Sequence, residues 1–299
     1  MDVVAWLKAF RLRTLPLSLS SIILGSLLAM WQGSFHLEIL IGAMLTTLFL
    51  QILSNLANDY GDFQNGVDNN ERVGPERSLQ SGEIGPTQMK WAIVVFAILS
   101  LGSGIWLLWQ ASNIVDPIKL LTFLLLGLLA IAAAIKYTMG KNPYGYRGMG
   151  DVAVFIFFGI TGVGGTFYLH TNDISFTELL PAVSIGLLAT GVLNLNNLRD
   201  EENDRKSGKR SLVVIMGRTR AKIYHVLLVS VAIITAVSFT LLNYHSPYQW
   251  LFLLSMPLLV QNILTVVKNE QPSELDPELR KLALATLIFA LTFGIGLNY

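Results

Sequence analysis

The chain has 299 residues, 53% of them hydrophobic and only 14% charged, where an ordinary soluble domain carries about 25% charged residues. That shortage of polar surface excludes a water-soluble globule and points to a membrane protein. Lys and Arg number 21 against 20 acids, a net charge of +1 that gives no bulk attraction to nucleic acid, and the lack of cysteine excludes disulfides, thiolate metal sites and a cysteine nucleophile.

A bilayer core about 30 Å thick is crossed by roughly 20 apolar residues rising about 1.5 Å each. Nine runs of that length occur, near 15–31, 39–57, 91–110, 119–138, 152–169, 179–197, 223–242, 248–267 and 282–298. They lack the period-2 alternation of a barrel, and open sheet edges cannot sit in hydrocarbon. The expected fold class is therefore all-α integral membrane, with nine transmembrane helices bundled in a single domain over 1–299. The first run follows Lys8, Arg11 and Arg13 as the core of a signal peptide would, but it is too long and eight more follow, so it reads as a retained helix.

Nine helices leave the termini on opposite faces. Every basic residue except Lys119 then falls at the N-terminus or in the segments after helices 2, 4, 6 and 8, which makes that side cytoplasmic and the C-terminus external. Two segments on that side, 58–90 and 198–222, are long and charged and read as cap loops. The opposite ones, 32–38, 170–178 and 243–247, are short and nearly uncharged. Chemistry is expected at the cytoplasmic face.

Helix 2 runs into Asn58-Asp59-Tyr60-Gly61-Asp62, followed by Gly66 and Asp68, and helix 6 into Asn196-Asn197-Leu198-Arg199-Asp200, followed by Asp204 and Gly208. Superposed, Asn58, Asp62 and Gly66 fall on Asp200, Asp204 and Gly208, and Arg77-Ser78-Leu79 echoes Arg210-Ser211-Leu212, which looks like a diverged internal duplication. Residues four apart share a helix face, so Asn58 with Asp62, and Asn196 with Asp200 and Asp204, form two stripes of oxygen ligands. So much negative charge beside a low-dielectric region needs a cation. With oxygen ligands alone the natural candidate is Mg²⁺, bound through a few carboxylates and substrate phosphates. Arg72, Arg77, Lys141, Arg147, Arg199, Lys209 and Arg210 stand nearby to neutralise phosphate oxygens, although most of the basic residues in 199–222 need do no more than obey the positive-inside rule.

These residues resemble the UbiA family of intramembrane aromatic prenyltransferases. The resemblance spans essentially the whole chain and rests on Asn58-Asp59-x-x-Asp62, Asp200-x-x-x-Asp204 and Tyr137-x-x-x-Lys141. Within the family, Arg13-Thr14-Leu15-Pro16, Gly66-x-Asp68 with Arg72-x-Gly74-Pro75, Tyr146-Arg147-Gly148-x-Gly150-Asp151 and Gly208-Lys209-Arg210-Ser211-Leu212 look like the branch that prenylates 1,4-dihydroxy-2-naphthoate in menaquinone synthesis. The resemblance implies a bacterial cytoplasmic (inner) membrane enzyme. Its substrates would be a polyprenyl diphosphate and an aromatic acid, its cofactor Mg²⁺, and neither nucleic acid nor an obligate protein partner is implied. It implies Asn58, Asp62, Asp68, Asp200 and Asp204 as metal ligands, and Asp62, Asp200, Asp204 and Lys141 as the catalytic set. Arg72, Arg77, Lys141, Arg147 and Lys209 would bind the diphosphate, and Tyr60 and Tyr137 would shield an allylic cation. One departure stands out. Asp68 lies six residues after Asp62, which is not a helical repeat, so the helix must break near Gly66 for Asp68 to return to the site.

A transporter is the rival of a different class, but the acids cluster at one face rather than at midplane. A CDP-alcohol phosphotransferase would show an Asp-Gly-x-x-Ala-Arg pattern, which is missing. Other aromatic acceptors, such as 4-hydroxybenzoate or homogentisate, or a phytyl donor, are the nearest alternatives. His36, His170, His225 and His245 have no metal-ligand spacing, and Gly162-Val163-Gly164-Gly165 inside helix 5 reads as a packing or kink site.

Overall fold

The computed structural model describes residues 2–69 and 73–299, and its elements are helical throughout the described residues. Nine helices there are long and apolar enough to cross a membrane: helix 1 Val3–Trp31, helix 2 Leu37–Gln64, helix 3 Pro86–Ala111, helix 4 Pro117–Lys136, helix 5 Gly150–Thr171, helix 6 Phe176–Lys206, helix 7 Arg218–Leu242, helix 8 Pro247–Lys268 and helix 9 Pro272–Leu297. Helices 3, 4, 8 and 9 open on proline, whose fixed φ suits the first turn and whose missing N–H costs nothing there. Helix 6 opens on a capping box, in which the Ser175 N–H donates to Glu178 at 3.0 Å.

Helices 2 and 6 are longer than the apolar runs suggested. At about 1.5 Å per residue they reach roughly 42 and 46 Å, against a hydrocarbon core of about 30 Å. The stretches 58–64 and 198–206, expected in loops, are therefore the final helical turns, projecting out of the apolar region. Helix 1 is also longer, but broken. Arg11 takes a left-handed conformation (φ 50°) between Val3–Phe10 and Leu15–Trp31, and the Asn55 amide of helix 2 holds the break by donating to the Phe10 carbonyl at 3.0 Å.

Apolar residues pack in two main bodies. The larger joins helices 1 and 5–9 around Phe167, Phe239, Phe252, Phe289 and Phe293, with Phe289 and Phe293 stacked at 5.6 Å. The other packs the start of helix 1 on helices 2 and 3 through Ala5, Ala9, Leu53, Leu56 and Met89. Helices 5 and 6 meet backbone to backbone, because a Cβ on Gly159 would lie 2.6 Å from the Ala182 carbonyl and 2.9 Å from the Gly186 Cα. Helix 5 is a π-helix over Phe155–Gly165, and a Cβ on Gly162 would stand 2.8 Å from Ser21 of helix 1. The glycine run thus serves close packing. Helix 4 buries none of its residues; one side is turned outward through Ile118, Leu121, Leu125 and Leu129, and the other borders a cavity.

Candidate active site

The cavity is about 440 Å³ and lies between helices 2–4 on one side and helices 1, 5, 6 and 9 on the other. Its walls are apolar for most of their length, through Ile22, Ala43, Leu107, Phe123, Ala130, Phe158 and Ala189, and polar at the end where helices 2 and 6 project. The four-residue spacing does what was expected of it: Asn58 and Asp62 on helix 2, and Asn196, Asp200 and Asp204 on helix 6, all line this end. The Asn203 amide ties the two helix ends together by donating to the Val67 carbonyl at 2.9 Å. Asp204 is 1% exposed, and its Oδ2, like the Oδ1 of Asn203, is buried without a hydrogen-bond partner. Unpartnered buried oxygens are costly unless a ligand satisfies them.

Lys209 reaches these acids through a turn. After helix 6 the chain takes a left-handed residue at Gly208 (φ 77°), and the Lys209 N–H donates back to the Asp204 carbonyl at 2.8 Å, the pattern of a glycine C-cap. Its ammonium sits 3.5 Å from Asp204 Oδ1 and 5.5 Å from the centroid of the Tyr146 ring. Burial opposes the charge, but the Asp62 and Asp204 carboxylates outweigh it and hold the group above the ordinary lysine value. Tyr146 in turn donates to Asp62 Oδ1 at 2.7 Å. Burial and the neighbouring Asp62 carboxylate both raise its phenol, and burial pushes the Tyr144 phenol up to about 12, so both hydroxyls keep their protons near neutrality.

The cationic wall is paired from behind. Asp59, between Asn58 and Asp62 on helix 2, is not part of the cavity lining; it is 1% exposed, forms an ion pair with Arg11, and lies 3.4 Å from Arg77 Nε, while Arg11 and Arg77 both border the cavity. On helix 6, Arg199 donates to both oxygens of Asp200 at 2.9 and 2.7 Å and to Asp276 of helix 9 at 2.5 Å. Asp276 is also 3.6 Å from Arg13, so one carboxylate links helices 1, 6 and 9.

Several expected residues lie elsewhere. Helix 4 ends at Lys136 and Gly140 turns the chain with φ 94°, so Tyr137 and Lys141 do not share a helical face. Tyr137 lines the cavity and packs edge-on against Tyr144 at 5.3 Å, whereas Lys141 and Arg147 are exposed and outside it. The helix does break at Gly66 (φ 69°), with the Val67 N–H donating to the Asp62 carbonyl at 2.9 Å. Asp68 is buried by that turn but is not part of the cavity lining. Tyr60 is buried against the start of helix 1, with Lys90 5.5 Å above its ring, away from the cavity. Arg72 lies outside the described residues. Sequence alone gives Arg11 no role beyond the positive-inside count and Tyr146 none at all, and it sets Arg199 toward phosphate, whereas the structure pairs that guanidinium with Asp200 and with Asp276, 77 residues away.

An apolar chamber with one end lined by acids, amides and guanidinium groups suits an amphiphile whose polyanionic head is neutralised there while its tail stays in oil. The family model described as the UbiA prenyltransferase family matches residues 18–285. A Haemophilus influenzae protein named 1,4-dihydroxy-2-naphthoate octaprenyltransferase is 44% identical, over 98% of this chain and 95% of its own. An Escherichia coli protein of the same name is 43% identical, over 98% and 94%. Among solved structures, the apo form of a UbiA homolog from Aeropyrum pernix superposes with TM-score 0.68 at 18% identity, over 94% of this chain and 96% of that one. Another, from Archaeoglobus fulgidus bound to GPP and Mg²⁺, superposes with TM-score 0.64 at 18% identity, over 98% and 99%. The chain belongs to the UbiA prenyltransferase family and is an integral membrane prenyltransferase.

Proposed function

We propose that the protein transfers a polyprenyl group from polyprenyl diphosphate to 1,4-dihydroxy-2-naphthoate, with loss of CO₂, giving demethylmenaquinol and diphosphate. The observation that carries this reading is the convergence of Asn58, Asp62, Asp200 and Asp204 at the polar end of one apolar cavity, in a chain 44% and 43% identical to two proteins named for that acceptor.

Mg²⁺ fits the donors present. All are oxygens, and Asp204 Oδ2 and Asn203 Oδ1 are buried without partners. Among the described residues no three of His, Cys, Asp and Glu gather closely enough to form a shell by themselves, which suits an ion that keeps waters and takes substrate phosphate oxygens. When bound, Mg²⁺ supplies positive charge to the diphosphate as the C–O bond to the prenyl group breaks.

The chain's own residues do the rest. Arg11, Arg77 and Lys209 border the space for the diphosphate and stabilise the charge that grows on it as it leaves. Asp59 holds the two guanidinium groups in place from behind. The apolar walls accept the isoprenoid tail and keep water from the allylic cation, and Tyr137 and Tyr144 present aromatic faces near the reacting end. The naphthoate ring attacks through carbon and sheds its carboxylate as CO₂. The distribution of basic residues supports a cytoplasmic active face in a bacterial inner membrane, with the N-terminus inside.

The test is incubation of purified protein with labelled polyprenyl diphosphate and a panel of aromatic acids, with and without Mg²⁺. A decarboxylated prenylated naphthoquinol, formed only with divalent metal, is expected. Preference for 4-hydroxybenzoate or homogentisate would overturn the acceptor assignment.

A further inference from the structure

We propose that Tyr146 determines which divalent cation the acid cluster accepts, by occupying one oxygen of Asp62 and leaving that carboxylate a single oxygen to offer a metal. The inference rests on the metal–diphosphate reading above and adds to it a residue that governs selectivity.

Tyr146 Oη donates to Asp62 Oδ1 at 2.7 Å. Asp62 lines the cavity, and its Oδ2 accepts no hydrogen bond among the described residues. Across the site the same pattern recurs: Asp204 Oδ1 has the Lys209 ammonium at 3.5 Å, while its Oδ2 is buried and unpartnered. Asp62 and Asp204 thus each have one oxygen engaged and one available, whereas both oxygens of Asp200 accept from Arg199.

Tyr146 is also held firmly. It lies in a single 3₁₀ turn, Tyr144–Arg147, between Pro143 and the left-handed Gly148 (φ 74°). Its carbonyl accepts the Arg210 N–H at 3.1 Å, and the Lys209 ammonium stands 5.5 Å from its ring centroid. The ring is thereby fixed between the loop after helix 4, the turn after helix 6 and the end of helix 2.

The chemistry follows from the two ions. Mg²⁺ requires a near-ideal octahedron at about 2.0–2.1 Å, whereas Ca²⁺ takes about 6–8 oxygens at about 2.3–2.6 Å and readily accepts both oxygens of one carboxylate. The bite of a carboxylate is too narrow to span two octahedral positions without strain, so bidentate ligation favours the larger ion. A carboxylate with one oxygen already hydrogen-bonded binds through the other alone, which suits the smaller ion. Removing the Tyr146 hydroxyl releases Asp62 Oδ1 and raises the number of oxygens on offer.

The test is calorimetric titration of Mg²⁺ and of Ca²⁺ into the full chain in detergent with geranyl thiolodiphosphate, an unreactive diphosphate, so that binding is read without turnover. In Tyr146→Phe the ratio of Mg²⁺ to Ca²⁺ affinity is expected to move toward Ca²⁺ by at least tenfold. Tyr168→Phe removes a hydroxyl that donates to Asn172 Oδ1 at 3.3 Å at the far end of helix 5, outside the cavity lining, and is expected to keep the wild-type ratio. Asp62→Glu provides a second route, because the extra methylene carries the carboxylate away from an intact Tyr146; it is expected to relax the ratio in the same direction. An unchanged ratio in Tyr146→Phe, or an equal loss of both ions, overturns the role of Tyr146 whatever Asp62→Glu does. Wild-type protein that binds neither ion with the diphosphate overturns the metal reading itself, which is a distinguishable result.

Discussion

Lys209 and Lys141 are both lysines just past a helix end near the acid motifs, yet their environments differ completely. Lys209 is 7% exposed and faces two carboxylates, whereas Lys141 lies on the outer surface. Lys209→Met is expected to lower kcat by roughly 10²–10³, the scale of losing one preorganised donor to a developing anion, while Lys141→Met leaves kcat and both KM values near wild type; steady-state kinetics with each substrate varied in turn decides it. Because the folded state raises the Lys209 value, its contribution to stability is present in full below the ordinary lysine value and is lost only as pH rises through the folded one. Stability is therefore expected to show no lysine-derived change between about pH 6 and 9. Asp59→Asn strips the anion from between Arg11 and Arg77 and is expected to destabilise the protein by about 3–5 kcal/mol, read as a lower unfolding midpoint, and to raise the KM for the prenyl diphosphate. The two stripes of oxygen-bearing side chains that line the cavity's polar end were legible because a four-residue repeat is a local signal. The paired cations were not, because the partners of Arg11 and Arg199 come from helices 2 and 9, and a count of charges by side says nothing about which carboxylate each one meets.

At the scale of elements, the site depends on how closely the segment after helix 4 approaches the end of helix 2. Gly61, beside Asp62, lies directly against Thr138, so that an added Cβ would come 2.6 Å from the Thr138 carbonyl carbon. Thr138 also donates to the Ala57 carbonyl at 2.9 Å. Gly61→Ala must push that segment away, and Tyr137 and Tyr146 with it, so prenyl transfer is expected to fall at least tenfold even though alanine is the better helix former; a normal rate with an unchanged unfolding midpoint would contradict the contact. All nine spans were legible from hydropathy as apolar runs, but their bounds fall short where the helices leave the apolar region: helix 1 starts at Val3 rather than near 15, helix 9 at Pro272 rather than near 282, and helices 2 and 6 continue to Gln64 and Lys206. There the chain turns polar while the hydrogen-bonded ladder continues, and composition alone marks the edge of the oil rather than the end of the helix. The same limit explains Tyr137 and Lys141, whose spacing suggests a shared face only if helix 4 continues past Lys136.

At the scale of the molecule, the two ladders work together only if helices 2 and 6 end on the same face, and an odd number of spans is what leaves the C-terminus on the other. Among the described residues nine spans are present, and the described Lys and Arg other than Lys119 lie toward the span ends on the side that carries the cavity's polar end. Moving that many cations across a bilayer costs a few kcal/mol each even on insertion scales, so one orientation is expected to dominate. A reporter fused after Tyr299 is expected to read out on the external side, and a tag placed at exposed Lys206, on the projecting end of helix 6, to be reachable only from the cytoplasm. Right-side-out and inverted vesicles treated with a membrane-impermeant reagent distinguish the two. Both tags reacting from the same side would mean that one of helices 7, 8 and 9, the spans between Lys206 and Tyr299, fails to cross; the nine-span topology would then fall, although the ends of helices 2 and 6 would still share the face that lets the two acid ladders meet.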